Sequence, residues 1–288
     1  MLLTQTVLIK LGFEKSTQTN LWNYLGVDVL EVEEEFFIPT NNSKIVNFWD
    51  LEEYITSKRG FPLLNNFQNR SREERTKDLP RLIEEKGEMM LYADIMEEIK
   101  VRISFVQDSL STNLNEDVKS EIIAIQFRKI IECIIFSSLA TNKKIFTQKF
   151  EVNKPWRIAT LIEKMKQMNP KYFPIPYKFV PPVFVPNYGF VPPPPPFTKV
   201  AGALTENDLI IIHNACNNVL HFINPFIGKT KKEDYKYILD NTNEWKNKII
   251  KLLSIHFSHQ TTGELYYVEM QSKNLRNHVN VQLATFTK

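Results

Sequence analysis

The sequence predicts a mainly α-helical fold: a bundle of about five helices with a small N-terminal α+β cap and a C-terminal antiparallel β meander. Three observations carry it. Apolar residues recur at spacings of three and four between residues 88 and 255, which places them on single helical faces. The period shortens to two in the last thirty or so residues, as in strands with one buried side. The 288 residues contain only 8 Gly, too few to suggest the phosphate loops and dinucleotide folds in which backbone must approach a phosphate closely.

Residues 1–64 read as the cap. Val27-Asp-Val-Leu-Glu-Val-Glu33 alternates in part, Pro39 ends that run because it cannot donate to a ladder, and Phe48 to Ser57 predicts a short helix. Residues 65–87 read as a charged linker or the frayed start of a helix. The interleaved acids and bases of Arg70-Ser-Arg-Glu-Glu-Arg-Thr-Lys-Asp78 suit a solvated face, with an RNA-contacting patch as the sharper alternative.

Residues 88–255 read as the bundle. Leu91, Ile95, Ile99, Ile103, Val106 and Leu110 stripe the first helix, about 88–110. The second, about 115–141, opens on Glu116 and Asp117, which suit the positive N-terminal end, and is apolar nearly all round through Ile130-Ile-Glu-Cys-Ile-Ile-Phe136. The third, about 154–168, takes Pro155 in its first turn and stops at Asn169-Pro170. The fourth starts at Thr205-Glu-Asn-Asp208, a capping box with Asp in place of Glu or Gln, and ends near Ile223. The fifth, about 231–253, carries Tyr235, Ile238, Leu239, Trp245, Ile249, Leu252 and Leu253 on one face.

An arm interrupts the bundle over 171–200. It repeats Phe-Val-Pro at 179, 184 and 190 and ends in five prolines, Pro192 to Pro196. So many prolines forbid a helix or a central strand, and polyproline II is the natural expectation. Its aromatics suit either an arm packed on its own domain or one that docks on a partner. Residues 256–288 then read as the meander, with strands at Leu265–Met270 and from Val279.

Four features bear on chemistry. Arg128 and Glu132 stand four apart on the most apolar helix and so share a face. They read either as a structural ion pair or as a site between helices. His221, in the apolar run Leu220-His-Phe-Ile-Asn-Pro-Phe226, reads as a core or capping histidine or as a general acid/base. His256 and His259 read as surface residues. Cys133 and Cys216 read as reduced core thiols, an expectation that suits the cytoplasm. The short apolar run at the N-terminus has no basic leader, so no signal peptide is expected. No stretch approaches a membrane span of about 20 apolar residues. No metal-ligand spacing, nucleophile elbow or carboxylate cluster appears, and neither metal nor cofactor is expected.

Phe127-Arg-Lys-Ile-Ile-Glu-Cys-Ile-Ile-Phe-Ser-Ser-Leu-Ala-Thr-Asn142, Met168-Asn-Pro-Lys-Tyr-Phe-Pro174, Leu204-Thr-Glu-Asn-Asp208 and Leu220–Phe226 resemble a group of uncharacterised bacterial proteins. The order of helices over residues 90–255 is similar to the HEPN superfamily, helical bundles of toxin–antitoxin and antiphage systems. Many of those are metal-independent ribonucleases, and others are inactive scaffolds. The active members' Arg, four to six residues, then His is missing: Asn214-Ala-Cys-Asn-Asn-Val-Leu220 precedes His221 without an Arg.

The resemblance implies an accessory or scaffold subunit of a bacterial antiphage-defence or toxin-type complex. Such a subunit would bind a protein partner, itself or another chain, through helical faces and the arm. Its binding candidates are Phe179, Phe184, Tyr188, Phe190 and Asn224. The alternative is a HEPN-like ribonuclease with a degenerate site, its catalytic candidates Arg128, Glu132 and His221, and RNA its substrate.

Overall fold

The structure is a computed structural model that describes residues 2–24, 27–59, 72–140, 142, 157–180, 183–186, 189–191, 197–221, 231–261, 263–273 and 277–284. It divides into two compact units, Met1–Met90 and Leu91–Lys288.

The first unit opens on α1 (Gln5–Leu11). The Thr4 hydroxyl caps it by accepting from the Val7 N–H, and Gly12 closes it at φ 89°, a left-handed position that glycine takes without strain. Five strands follow as an antiparallel meander in sequence order: β1 (Glu14–Lys15), β2 (Leu21–Tyr24), β3 (Val27–Val32), β4 (Glu35–Phe37) and β5 (Lys44–Ile45). β3 alternates as its sequence predicts, with Val27, Val29 and Glu31 inward. The buried Glu31 carboxylate accepts from the Trp22 indole N–H at 2.6 Å and meets the Lys15 ammonium at 3.0 Å, so its charge does not stand alone in the core. The short helix α2 (Phe48–Arg59) adds Phe48, Leu51 and Ile55 to that core.

α3 (Arg72–Ser111) begins in the first unit and ends in the second. The expected linker is therefore helical from Arg72 onward. Its charged run hid an apolar stripe: Leu79, Leu82 and Ile83, spaced three and one, are buried in the first unit's core.

In the second unit α4 (Glu116–Ala140) is the central helix. It packs against α5 (Ile158–Met168), most extensively against α6 (Glu206–Leu220), and against α7 (Lys232–Leu253). Its face of Ile123, Phe127, Ile130, Ile131 and Ile134 is fully buried, and the Phe127 ring meets Trp245 of α7 edge-on at 5.4 Å. The capping box of α6 is formed on both sides: Thr205 Oγ1 accepts from the Asp208 N–H at 3.2 Å, and Asp208 Oδ2 accepts from the Thr205 N–H at 2.8 Å.

A second five-stranded antiparallel sheet completes this unit. Its strands are β6 (Ile175–Phe179), β9 (Phe197–Lys199), β10 (Ile255–His259), β11 (Leu265–Glu269) and β12 (Asn280–Ala284), in the order β12-β11-β10-β6-β9. A separate ribbon pairs β7 (Val183–Val185) with β8 (Gly189–Val191).

Two expectations are corrected here. The fold is not a mainly α bundle of five helices. The described residues form seven helices and two five-stranded antiparallel sheets, 58% helix and 19% strand, an α+β mixture. The proline arm supplies two strands of the second sheet, and β6, with Pro176 inside it, lies between β10 and β9. Proline is tolerated because of where its missing donor falls. Val200 donates to the Pro176 carbonyl at 3.3 Å; Pro176 has no N–H to return, and the β6–β9 ladder ends at that rung. Toward β10, Pro176 simply lies opposite His256.

Candidate functional site

The second sheet presents two unlike faces, because side chains alternate along each strand. His256, Ser258, Tyr266 and Val268 are buried on one. Phe257, Tyr267, Tyr177, Phe179 and Phe197 gather on the other. The register sets Phe257 opposite Tyr267 and Phe179 opposite Phe197. The rings form one contiguous platform. Tyr177 stands 5.0 Å from Phe257, Phe197 stands 5.5 Å from Phe257, 5.8 Å from Tyr267 and 5.9 Å from Phe179, and Phe257 stands 5.6 Å from Tyr267. Most cross edge-on or tilted, the arrangement that aromatic quadrupoles favour.

Over this platform lies a groove of about 600 Å³, lined by four of the rings, by Ile255 and Glu269, and by Gln282, Leu283 and Ala284 of β12. Phe179, 47% exposed, forms its open rim. Glu269 accepts from the Tyr267 hydroxyl at 2.7 Å and the Asn280 amide at 3.3 Å, both neutral donors. Burial, and then the adjoining carboxylate, hold the Tyr267 hydroxyl protonated well beyond the ordinary phenol range.

Behind the sheet is a second aromatic–polar cluster. His256 is fully buried, not at the surface as its sequence context suggested. Its Nδ1 lies 2.9 Å from the Leu253 carbonyl and its Nε2 lies 2.7 Å from the Tyr92 hydroxyl. A carbonyl only accepts, so Nδ1 carries the hydrogen and the Tyr92 O–H donates to Nε2. Burial lowers the pKa of His256 to about 4. This pair ties α3 to β10 with no net charge.

The helices carry the third cluster. Arg128 Nε and Lys129 Nζ both reach Glu132, at 3.3 and 2.9 Å. The side chains are half-open, 37% exposed for Arg128 and 19% for Glu132, so their pairing needs no compensation for deep burial. His213 of α6 comes to them, rather than His221. Burial and then the Arg128 guanidinium lower its pKa, against the pull of Glu132. The Asn217 amide holds its Nδ1 at 3.2 Å, while the buried Asn217 Oδ1 has no partner among the described residues. His221 is the exposed C-cap of α6, its backbone N–H bonded to the Asn217 carbonyl at 3.0 Å. Burial pushes the Cys216 thiol up to about 12 and also raises that of the half-buried Cys133, so neither is an activated nucleophile.

The structure thus gathers Arg128 and Glu132 with a histidine that the sequence reading left outside the site. Of the binding candidates, Phe179 lines the groove, and Phe184 and Phe190 are paired across the β7–β8 ribbon. Tyr188 and Asn224 lie outside the described residues. The sequence reading missed Phe257, Tyr267 and Glu269. Their signal was the alternation of the last strands, which places them on one side once Phe257 is set opposite Tyr267.

Among the described residues no helix is long and apolar enough to cross a membrane, and no three His, Cys, Asp or Glu side chains could together hold a metal ion. No family model, curated protein or solved structure matches the chain.

Proposed function

We propose that this chain is a non-catalytic binding subunit that holds another protein on the aromatic face of its second sheet. The observation that carries the reading is the groove itself: a contiguous ring platform with Phe179 half-open at its rim. Apolar surface left facing water in this way is a mark of interaction sites. The groove favours protein over RNA. Base-stacking platforms are flanked by cations that follow the phosphates; the described lining of this groove holds a carboxylate, and Lys199, opposite Tyr177, stands on the same face outside it. The resemblance read from the sequence supports a bacterial antiphage-defence or toxin-type complex as its setting, and the free Cys133 and Cys216 suit the cytoplasm. A photo-crosslinking residue at position 179 tests the reading in cells. It should yield a discrete protein adduct that the same residue at Lys119, on α4, does not. Adducts to RNA alone, or none, would contradict it.

A second reading rests on the third cluster. His213 as acid/base, with Arg128 beside it to steady a phosphate, would suit metal-independent RNA cleavage. Cleavage by the purified protein in a chelator, lost in folded His213→Ala and Arg128→Ala and kept in His221→Ala, would establish this reading. No cleavage by the folded wild type would remove it.

A further inference from the structure

We infer that the chain pairs with a second copy of itself through the exposed ridge of α4, the two helices running antiparallel about a twofold axis at Ile125. The inference is independent of the groove and goes beyond the binding reading above. Three observations carry it.

The first is the ridge itself. Val118, Ile125 and Phe136 are 43%, 46% and 45% exposed, on the helix whose other side is buried at the centre of the unit. Val118 stands seven residues before Ile125 and Phe136 eleven after it, so all three fall within about 20° of one line along the helix. Large apolar side chains aligned along a surface helix mark an interaction site, unlike apolar residues scattered singly. α3 flanks the ridge: Arg102 donates to Gln126 of α4 at 2.9 Å, and Val101 and Phe105 beside it are 50% and 55% exposed.

The second is charge. Glu121 and Arg128 lie on the same flank of the ridge, about 40° and 60° round from Ile125, and about 6 and 4.5 Å along the helix on either side of it. A copy turned antiparallel about Ile125 brings its Glu121 level with Arg128, and its Arg128 level with Glu121. One short segment therefore supplies both members of two opposite-charge pairs, the self-complementarity that a twofold interface requires. A parallel copy would set Glu121 against Glu121 and Arg128 against Arg128. Within the chain Glu121 accepts from the neutral Tyr235 hydroxyl at 3.0 Å, which leaves its charge for the second copy.

The third is that the rest of the ridge fits the same register. Lys129, on the other flank, comes beside Ile122 of the second copy. Its methylene stem covers that half-buried side chain while its ammonium stays on Glu132 at 2.9 Å. Phe136 comes level with the residues just before the second copy's helix, where Leu114 is 43% exposed.

The test is sedimentation velocity on the full chain from about 1 to 100 μM. Wild type should pass from monomer to dimer across that range. Ile125→Glu places two carboxylates at the axis and should leave the chain monomeric throughout. Glu121→Arg and Arg128→Glu should each weaken the dimer at least about tenfold, and the two together should restore it to within about threefold of wild type. Phe179→Ala should leave it unchanged. Ile125, Glu121 and Arg128 all reach solvent, so each variant should keep the wild-type circular dichroism spectrum.

A wild type that stays monomeric at the highest concentration would overturn the inference. So would a dimer that survives Ile125→Glu, which would put the contact elsewhere, or one lost in Phe179→Ala, which would put the second copy in the groove. Failure of the double charge reversal to restore what the single reversals lose would overturn the antiparallel register.

Discussion

Acid should weaken the second unit, and His256 should contribute a separable share of the loss. His256 is buried and neutral, its pKa lowered to about 4 against an ordinary 6.5. The unfolded chain therefore takes up a proton at a higher pH than the folded one. The stability owed to the neutral ring is complete above pH 6.5 and is lost as pH falls toward 4. At 1.36 kcal/mol for each tenfold change in proton activity, that interval amounts to about 3 kcal/mol. Replacing both members of the pair, Tyr92→Phe with His256→Phe, removes the titration and the Tyr92–His256 bond together, and takes the Nδ1–H from the Leu253 carbonyl at every pH alike. Urea unfolding followed by circular dichroism, at pH 7.5, 6.0, 5.0 and 4.0, gives the comparison. The first unit is unchanged by the substitutions, so its pH dependence cancels in the difference. Wild type should lose about 3 kcal/mol more than the double variant between pH 7.5 and 4.0. Parallel losses in the two proteins would refute the reasoning, because His256 would then titrate alike in both states.

Three smaller predictions concern local structure. Glu33 and Glu34 form the two-residue turn between β3 and β4 at φ 51° and 67°, where most L-residues are strained. Glu33→Asn combined with Glu34→Gly should stabilise the first unit by about 1–2 kcal/mol and raise its thermal midpoint, and an unchanged midpoint would count against that. Asp208→Ala breaks the capping box of α6 and its Lys248 contact at 3.2 Å, and should cost about 1 kcal/mol in urea unfolding. His221→Ala should change stability by less than about 0.5 kcal/mol, since its ring is exposed and only its backbone caps the helix.

What the sequence made legible follows from where information is local. The stripes of α4 and α7 were readable because burial there repeats every three or four residues. The box at Thr205 was readable because both of its bonds lie within four residues. The start of α3 was obscured by its charged run, in which Glu73 and Lys77 are exposed on a helix that buries Leu79, Leu82 and Ile83. The arm was misread because proline rules apply to single rungs. Pro176 lacks one donor at the end of one ladder, and nothing in its neighbours shows that this rung goes unused. The groove depends on register between strands up to a hundred residues apart: Phe179, Phe197, Phe257 and Tyr267 meet only once β6, β9, β10 and β11 are aligned. Likewise His213 comes within the electrostatic reach of Arg128 through the packing of α6 on α4, which no spacing along the chain encodes.

Retention of a partner by variants at the two candidate sites tests the account most directly. The tagged chain, purified from its own host at moderate salt, should retain the same protein partner as wild type, as Arg128→Ala and as His213→Ala. It should lose that partner as Phe179→Ala, with all four proteins folded and equally expressed. Retention by Phe179→Ala, or loss only in the Arg128 and His213 variants, would contradict the account and move the site from the sheet to the helices.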